Sequence, residues 1–164
     1  MISLIIPTTS PNTNYTINII NNIRELYPDE SKVEIILNTD DKIDLGTKYN
    51  SCVEQAKGDK IILLHNDMII SKDFIEIMDK HITKNRITTY TRVEPPIYLD
   101  TYPGKVIEDC GKDLENFNKD KFNKLSLNEE LIDGGSQLFF GCMKEDYIKL
   151  DTSTFTPPSM WCSD

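Results

Sequence analysis

Cysteine is scarce and scattered. Cys52, Cys110, Cys142 and Cys162 are the four in 164 residues, and no two form a C-x-x-C pair. Such spacing excludes a dense disulfide scaffold and offers no short-spaced ligand pair for structural zinc, His65 and His81 being the two histidines. Reduced thiols in a reducing compartment are expected, and with them a cytoplasmic location. No apolar run reaches membrane-spanning length, so no transmembrane segment is expected. The opening Met1–Pro7 lacks the basic region and small-residue cleavage site of a signal peptide. Excess positive charge is missing too: 18 Lys and Arg stand against 27 Asp and Glu, a formal net charge of −9. An acidic surface repels a phosphate backbone, which excludes nucleic acid as the expected partner. It does not exclude a single diphosphate, because a divalent cation can sit between the two.

What is present is enough for one folded domain over 1–164. Hydrophobic residues make up 38% and charged residues 27%, the balance of a chain that can bury a core. Ile2–Ile6 is a compact apolar run stopped by Pro7, the pattern of a central strand. A hydroxyl- and amide-rich loop, Thr8 to Thr13, follows. Ile17, Ile20, Ile23, Leu26 and Tyr27 recur at helical spacing between Tyr15 and Tyr27, and Pro28-Asp29 ends that segment. Val33–Leu37 is a second short strand stopped by Asn38-Thr39-Asp40-Asp41. Thr47–Lys57 reads as a helix burying Tyr49, Cys52, Val53 and Ala56, closed by Gly58 as a C′ residue.

Lys60–Leu64 is a third strand that ends abruptly in His65-Asn66-Asp67. Ser71 is expected to cap a helix that carries Asp73 in its first turn and buries Phe74, Ile75, Met78 and Ile82. This β-α-β-α-β-α order predicts an α/β fold: a doubly wound, mostly parallel sheet with helices on both faces. Beyond residue 85 the alternation loosens. Ile87–Val93 reads as a strand, Lys112–Glu130 as a mobile excursion with one short helix, Ser136–Gly141 as a buried strand and Lys144–Leu150 as one or two helical turns. The expected division is a nucleotide-binding half at 1–93 and an acceptor-side part, incomplete, at 94–164.

Ligands of open α/β sheets bind outside the carboxyl ends of the strands. That rule makes Asp67 the first functional candidate, weighed evenly against a simple turn before a helix. Asp40 and Asp41 have the same alternative, a solvated turn.

Three segments together resemble the inverting glycosyltransferases of family 2, which have a Rossmann-like GT-A fold. They are Ser3-Leu4-Ile5-Ile6-Pro7-Thr8; Asn50-Ser51-Cys52-Val53 with Ala56 through Asp67; and Gly134 to Tyr147 followed by Trp161-Cys162-Ser163-Asp164. The match is poorest between Glu94 and Asp133, an irregular excursion on the acceptor side. The resemblance implies a nucleotide-sugar donor (a UDP- or GDP-sugar) and a glycan or other hydroxyl acceptor. It places Pro7, Thr8, Thr9, Thr39, Asp40, Asn50 and Asn66 around the donor, and Asp67 on Mn²⁺ or Mg²⁺. A hard divalent cation takes oxygen ligands and stabilises the charge of a departing diphosphate. His65 stands where the family commonly has an acid, and imidazole can ligate Mn²⁺ or hydrogen-bond a phosphate. Asp164 matches the general base that would accept the acceptor hydroxyl's proton. It is the last residue, so the chain reads as truncated on its acceptor side.

The sequence departs from the family pattern at Thr9 and Ser10, and at Tyr49, where a basic residue is usual and Lys48 adjoins. Two other readings stand beside the enzyme: a non-catalytic module that keeps the fold and a nucleotide pocket, and, more weakly, a nucleotidyltransferase. The second lacks the glycine- and lysine-rich phosphate loop such chemistry uses.

Overall fold

The structure is a computed structural model that describes residues 1–8, 11–96, 105–111, 115–126 and 140–149. Its elements run β1 (Ile2–Pro7), α1 (Asn14–Leu26), β2 (Val33–Asn38), α2 (Leu45–Gln55), β3 (Lys60–Leu63), α3 (Phe74–His81), β4 (Thr88–Thr89), β5 (Arg92–Glu94), β6 (Lys105–Ile107), α4 (Lys119–Ser126), β7 (Phe140–Met143) and α5 (Lys144–Lys149). Five strands form the main sheet in the order β2-β1-β3-β7-β4, and β5 pairs with β6 separately. β1 is parallel to both β2 and β3, with Leu4 opposite Ile35 and Ile62. β7 runs antiparallel to β3 and to β4, so it alone opposes the other four strands. The expected α/β architecture with a mostly parallel sheet is what forms.

Period-two alternation sorts the strand side chains into two cores. Leu4, Ile6, Ile62 and Leu64 face Ile19 and Ile23 of α1 and Phe74, Ile75 and Met78 of α3. Ile5, Ile36, Ile61 and Leu63 face Tyr49, Cys52 and Val53 of α2 and Tyr147 of α5. β1 is buried along its whole length because it lies inside the sheet with helices on both faces. Each fully buried Leu or Ile there contributes about 1.5–3 kcal/mol of transfer free energy, so the strand ends are held by a rigid base. β1, β2 and β3 run the same way, and their carboxyl ends therefore emerge on one edge.

Several local expectations change. The buried face of α1 is Thr16, Ile19 and Ile23, while Ile17 points outward at 43% exposure. Ile20, Ile23, Leu26 and Tyr27 pack on the core as expected, so Ile17 is the member of the stripe that departs, while Thr16 turns inward with its hydroxyl bonded to Asn66. Ser71 does not cap α3: a turn intervenes, Asp73 holds the cap position without a side-chain bond, and the Phe74 N–H reaches the Ser71 carbonyl at 3.2 Å. Gly58 is not the C′ residue, since the helix cap falls at Ala56. A Cβ on Gly58 would lie 2.7 Å from the Met1 carbonyl oxygen, so the glycine serves close backbone approach to β1. Residues 87–93 do not form one strand; they split into β4 of the main sheet and the start of β5 in the small one. Within the expected excursion, α4 is helical. Among the described residues no helix is long and apolar enough to cross a membrane.

Candidate functional site

The carboxyl edge of β1 and β3 gathers the polar side chains. Pro7 is buried at the end of β1 opposite Asn38, and the next residue, Thr8, donates its N–H to the Asn38 carbonyl at 2.9 Å. Thr8 is 5% exposed although its side chain is polar. Its hydroxyl lies 3.3 Å from that of Thr16, and Asn66, just past β3, donates its amide to both hydroxyls at 3.2 Å. Thr13 caps α1: its Oγ1 accepts the Thr16 N–H and lies 3.1 Å from the Thr16 hydroxyl. One amide thus ties the ends of two parallel strands to the first turn of α1. Buried polar groups are costly unless paired, and here three side chains satisfy one another.

Lys48 approaches from the opposite face. It lies in α2, is 3% exposed, and places Nζ 3.3 Å from the Thr8 carbonyl oxygen. A buried ammonium at the strand edge was visible in the sequence only as a neighbour of Tyr49. Its signal was its position, one residue before the buried Tyr49-Cys52-Val53 stripe, where a helix turns it inward. Thr16 is the other member that pattern reading passed over, hidden among isoleucines.

Beyond Asn66 the chain turns, and Nδ1 of His65 lies 2.6 Å from Oδ1 of Asp67. This hydrogen bond, opposed by desolvation and reinforced by the charges of His65 and Arg92, holds the Asp67 carboxyl below its ordinary value. Asp67 is therefore an ionised, outward-facing carboxylate, its side chain 57% exposed. Met68 closes the turn, accepting the His65 N–H on sulfur at 3.4 Å. Tyr90 anchors the same corner through its hydroxyl on the Leu63 carbonyl at 3.1 Å.

The remaining predicted residues have other engagements. Asp40 sits in an exposed Asx turn: its N–H reaches Asn38 Oδ1 at 3.0 Å and its Oδ1 accepts the Lys42 N–H at 2.9 Å. Thr39 beside it is exposed. Asn50 accepts the Tyr147 hydroxyl at 3.0 Å, linking α2 to α5. Thr9 and Asp164 lie outside the described residues. Among the described residues no group of three or more His, Cys, Asp or Glu side chains converges as a complete metal cage.

Paired hydroxyls, an amide, a buried lysine and a carboxylate bonded to His65 thus gather beyond the ends of parallel strands in an α/β sheet. The model of the glycosyl transferase family 2 matches residues 5–143, and the chain belongs to that family. No curated protein sequence matches it. Among solved structures, that of S. aureus TarS 1-349 is similar over 62% of this chain, at 12% identity and a TM-score of 0.43. The chain spans 38% of that protein.

Proposed function

We propose that the chain transfers a sugar from a nucleotide-diphosphate donor to an acceptor hydroxyl, with inversion and with assistance from Mn²⁺ or Mg²⁺. The observation that carries this is the shared edge of β1 and β3, where Thr8, Asn66 and Lys48 meet beside the ionised Asp67. The donor would be a UDP- or GDP-sugar, and the acceptor a glycan or another hydroxyl compound. Residues 1–93 supply the nucleotide side and 94–164 the acceptor side. The free thiols of Cys52, Cys110 and Cys142 fit a cytoplasmic setting.

Asp67 fits a hard divalent cation as one oxygen ligand, the diphosphate and water completing the shell. A bound cation supplies Lewis-acid stabilisation of the charge on the leaving diphosphate. His65 acts on Asp67 by fixing its rotamer, and ligation through its ring would require that bond to open. Thr8 and Asn66 hold the strand ends at a fixed separation so that donor contacts need no reordering. Asp164 is assigned as general base by its motif position.

Isothermal calorimetry with UDP and GDP, with and without Mn²⁺, tests the reading. Wild type is expected to bind one nucleotide more tightly with Mn²⁺, and Asp67→Ala to lose that gain. Undiminished metal-dependent binding by Asp67→Ala, or no binding by wild type, would sink it. The His65 contact on Asp67 also suits a non-catalytic nucleotide-binding module. Donor hydrolysis or transfer abolished by Asp164→Asn decides for the enzyme; nucleotide binding with neither activity decides for the module.

A further inference from the structure

Arg92, Glu94 and Lys105 form a chain of charges that a two-stranded sheet does not need for its own stability. Arg92 and Lys105 are register partners across β5 and β6, so two cations stand directly opposite each other, which destabilises a ladder. Glu94 bridges them, with one carboxylate oxygen 2.5 Å from Arg92 Nη2 and the other 2.9 Å from Lys105 Nζ. The Lys105 side chain is 1% exposed, that of Glu94 13% and that of Arg92 26%. Taking such charges out of water costs on the order of several kcal/mol per ion, and a well-packed apolar trio is often at least as stable. The path into β5 crosses the site. Tyr90 donates its hydroxyl to the Leu63 carbonyl at the end of β3 and lies 3.8 Å from the Met68 sulfur. Its ring meets that of Phe74 edge-on, with centroids 5.0 Å apart. Arg92 follows two residues later. Behind the His65 hydrogen bond, which is the main cause, the Arg92 charge helps to hold the Asp67 carboxyl below its ordinary value. Tyr90 is thus a fixed pivot that brings β5 to the turn carrying Asp67.

We propose that Arg92 is the resident counter-charge of Asp67 and competes with a divalent cation for that carboxylate. This rests on the metal assignment made above but goes beyond it, because cation affinity becomes a property of β5 as well as of Asp67. A cation that approaches Asp67 does so against the field of the guanidinium, and like charges near one carboxylate repel. Glu94 sets the strength of that competition: its carboxylate draws Arg92 back along β5, towards Lys105. Arg92 and Glu94 are therefore positioning residues, acting through Asp67. A free cation is held weakly, and a diphosphate, with its own negative charge, relieves the repulsion when both bind together.

The test is Mn²⁺ binding without nucleotide, followed by electron paramagnetic resonance of the free ion. The proteins are wild type, Arg92→Met, Arg92→Lys, Glu94→Gln, and Asp67→Ala with and without Arg92→Met. Arg92→Met is expected to bind Mn²⁺ about fivefold more tightly than wild type, the scale of a partly exposed charge pair. Arg92→Lys keeps the charge and should stay near wild type. Glu94→Gln releases Arg92 towards Asp67 and should bind more weakly. In the Asp67→Ala background the gain from Arg92→Met should vanish, which places the effect at that carboxylate and not in the overall field of an acidic protein. Thermal melting shows which variants fold, and Arg92→Gln, which can still hydrogen-bond Glu94, replaces a methionine variant that does not. Binding equal to or weaker than that of wild type in the folded neutral variant overturns the proposal, as does a gain that persists without Asp67. Calorimetry with UDP and GDP separates this from the donor reading: a Mn²⁺-dependent gain in nucleotide affinity that Asp67→Ala abolishes leaves that reading standing whatever Arg92 does. Absence of that gain in wild type, together with no Mn²⁺ bound by any variant, removes both.

Discussion

The side-chain amide of Asn66 donates to the hydroxyl of Thr8 across 3.2 Å, joining the carboxyl ends of two neighbouring parallel strands. Fifty-eight residues of sequence separate them, so the contact exists only once β3 has paired with β1. It fixes the width of the edge from which Thr8, Asn66 and Asp67 emerge.

Asn66→Ala removes the donor shared by the Thr8 and Thr16 hydroxyls and leaves both in a nearly dry setting. The expected loss is about 0.5–1.5 kcal/mol of unfolding free energy, the net worth of a buried hydrogen bond, because the Thr8, Thr16 and Thr13 hydroxyls remain within reach of one another. Urea denaturation should show a lower midpoint with an unchanged m-value. Nucleotide affinity should fall as well. A variant as stable as wild type would mean that the hydroxyls satisfy each other without Asn66.

Glu34 gives a pH prediction. Its carboxylate accepts the Ser3 hydroxyl at 2.6 Å and the Lys57 N–H at 2.9 Å, binding β1, β2 and the end of α2 together. Desolvation pushes its pKa up, but the bonds from Ser3 and Lys57 with the Lys57 charge outweigh it, so the net shift is down from 4.5. A lowered folded-state pKa means the unfolded chain binds protons more readily. The stabilisation is then fully present above pH 4.5, the ordinary value, and fades as pH falls through the lower folded value. Glu34→Gln should cost about 1–2 kcal/mol at pH 7. The gap to wild type should narrow in melts taken at progressively lower acidic pH; a gap independent of pH would show that the charge is not what matters.

The strands and the helix stripes of α2 and α3 were legible because burial on one face imposes a period that any sequence must obey. Tyr49-Cys52-Val53-Ala56 and Phe74-Ile75-Met78-Ile82 are both read correctly from spacing alone. The stripe of α1 was legible except at Ile17, which is exposed, and at Thr16, which is buried for its hydrogen bonds, and hydrophobicity does not register those. Gly58 was misplaced for a similar reason: its neighbour, the Met1 carbonyl, is distant in sequence. Asp67 and Asn66 were visible as polar residues ending an apolar run. His65 was visible beside them as a candidate ligand, whereas its bond to Asp67, and the places of Thr16 and Lys48 at this edge, depend on side-chain direction, which a one-dimensional pattern does not carry.

The thiols make a further prediction. Burial pushes Cys52 up to about 11, with the Lys48 charge opposing the rise, and pushes Cys142 up to about 12. Both lie in the core between the sheet and helices α2 and α5. The thiolate is the reactive form, so both should resist iodoacetamide at pH 8 in the native state and react once urea unfolds the chain. Peptide mapping by mass spectrometry separates them from the other cysteines. Rapid native labelling of Cys52 would show that α2 opens readily from the sheet.

Gly58 and Gly141 form a matched pair for testing how the sheet is packed. A Cβ at Gly58 would meet the Met1 carbonyl oxygen at 2.7 Å and the Ser3 amide nitrogen at 2.9 Å, both backbone atoms of β1 or its lead-in. It would also meet Ser3 Oγ at 2.7 Å, the hydroxyl that accepts the Gly58 N–H and donates to Glu34. Backbone within a central strand cannot retreat without disturbing its pairing on both sides. At Gly141 the obstacles are the ends of Ile82 and Met78, 2.5 and 2.8 Å away, and side-chain ends can change rotamer. Gly58→Ala should therefore cost about 2–3 kcal/mol, the upper part of the range for overpacking, and Gly141→Ala about 1 kcal/mol. Chemical denaturation of the two variants checks the order. A Gly141→Ala loss larger than that of Gly58→Ala would show that the α3–β7 contact, and not the entry into β3, is the less yielding part of the sheet.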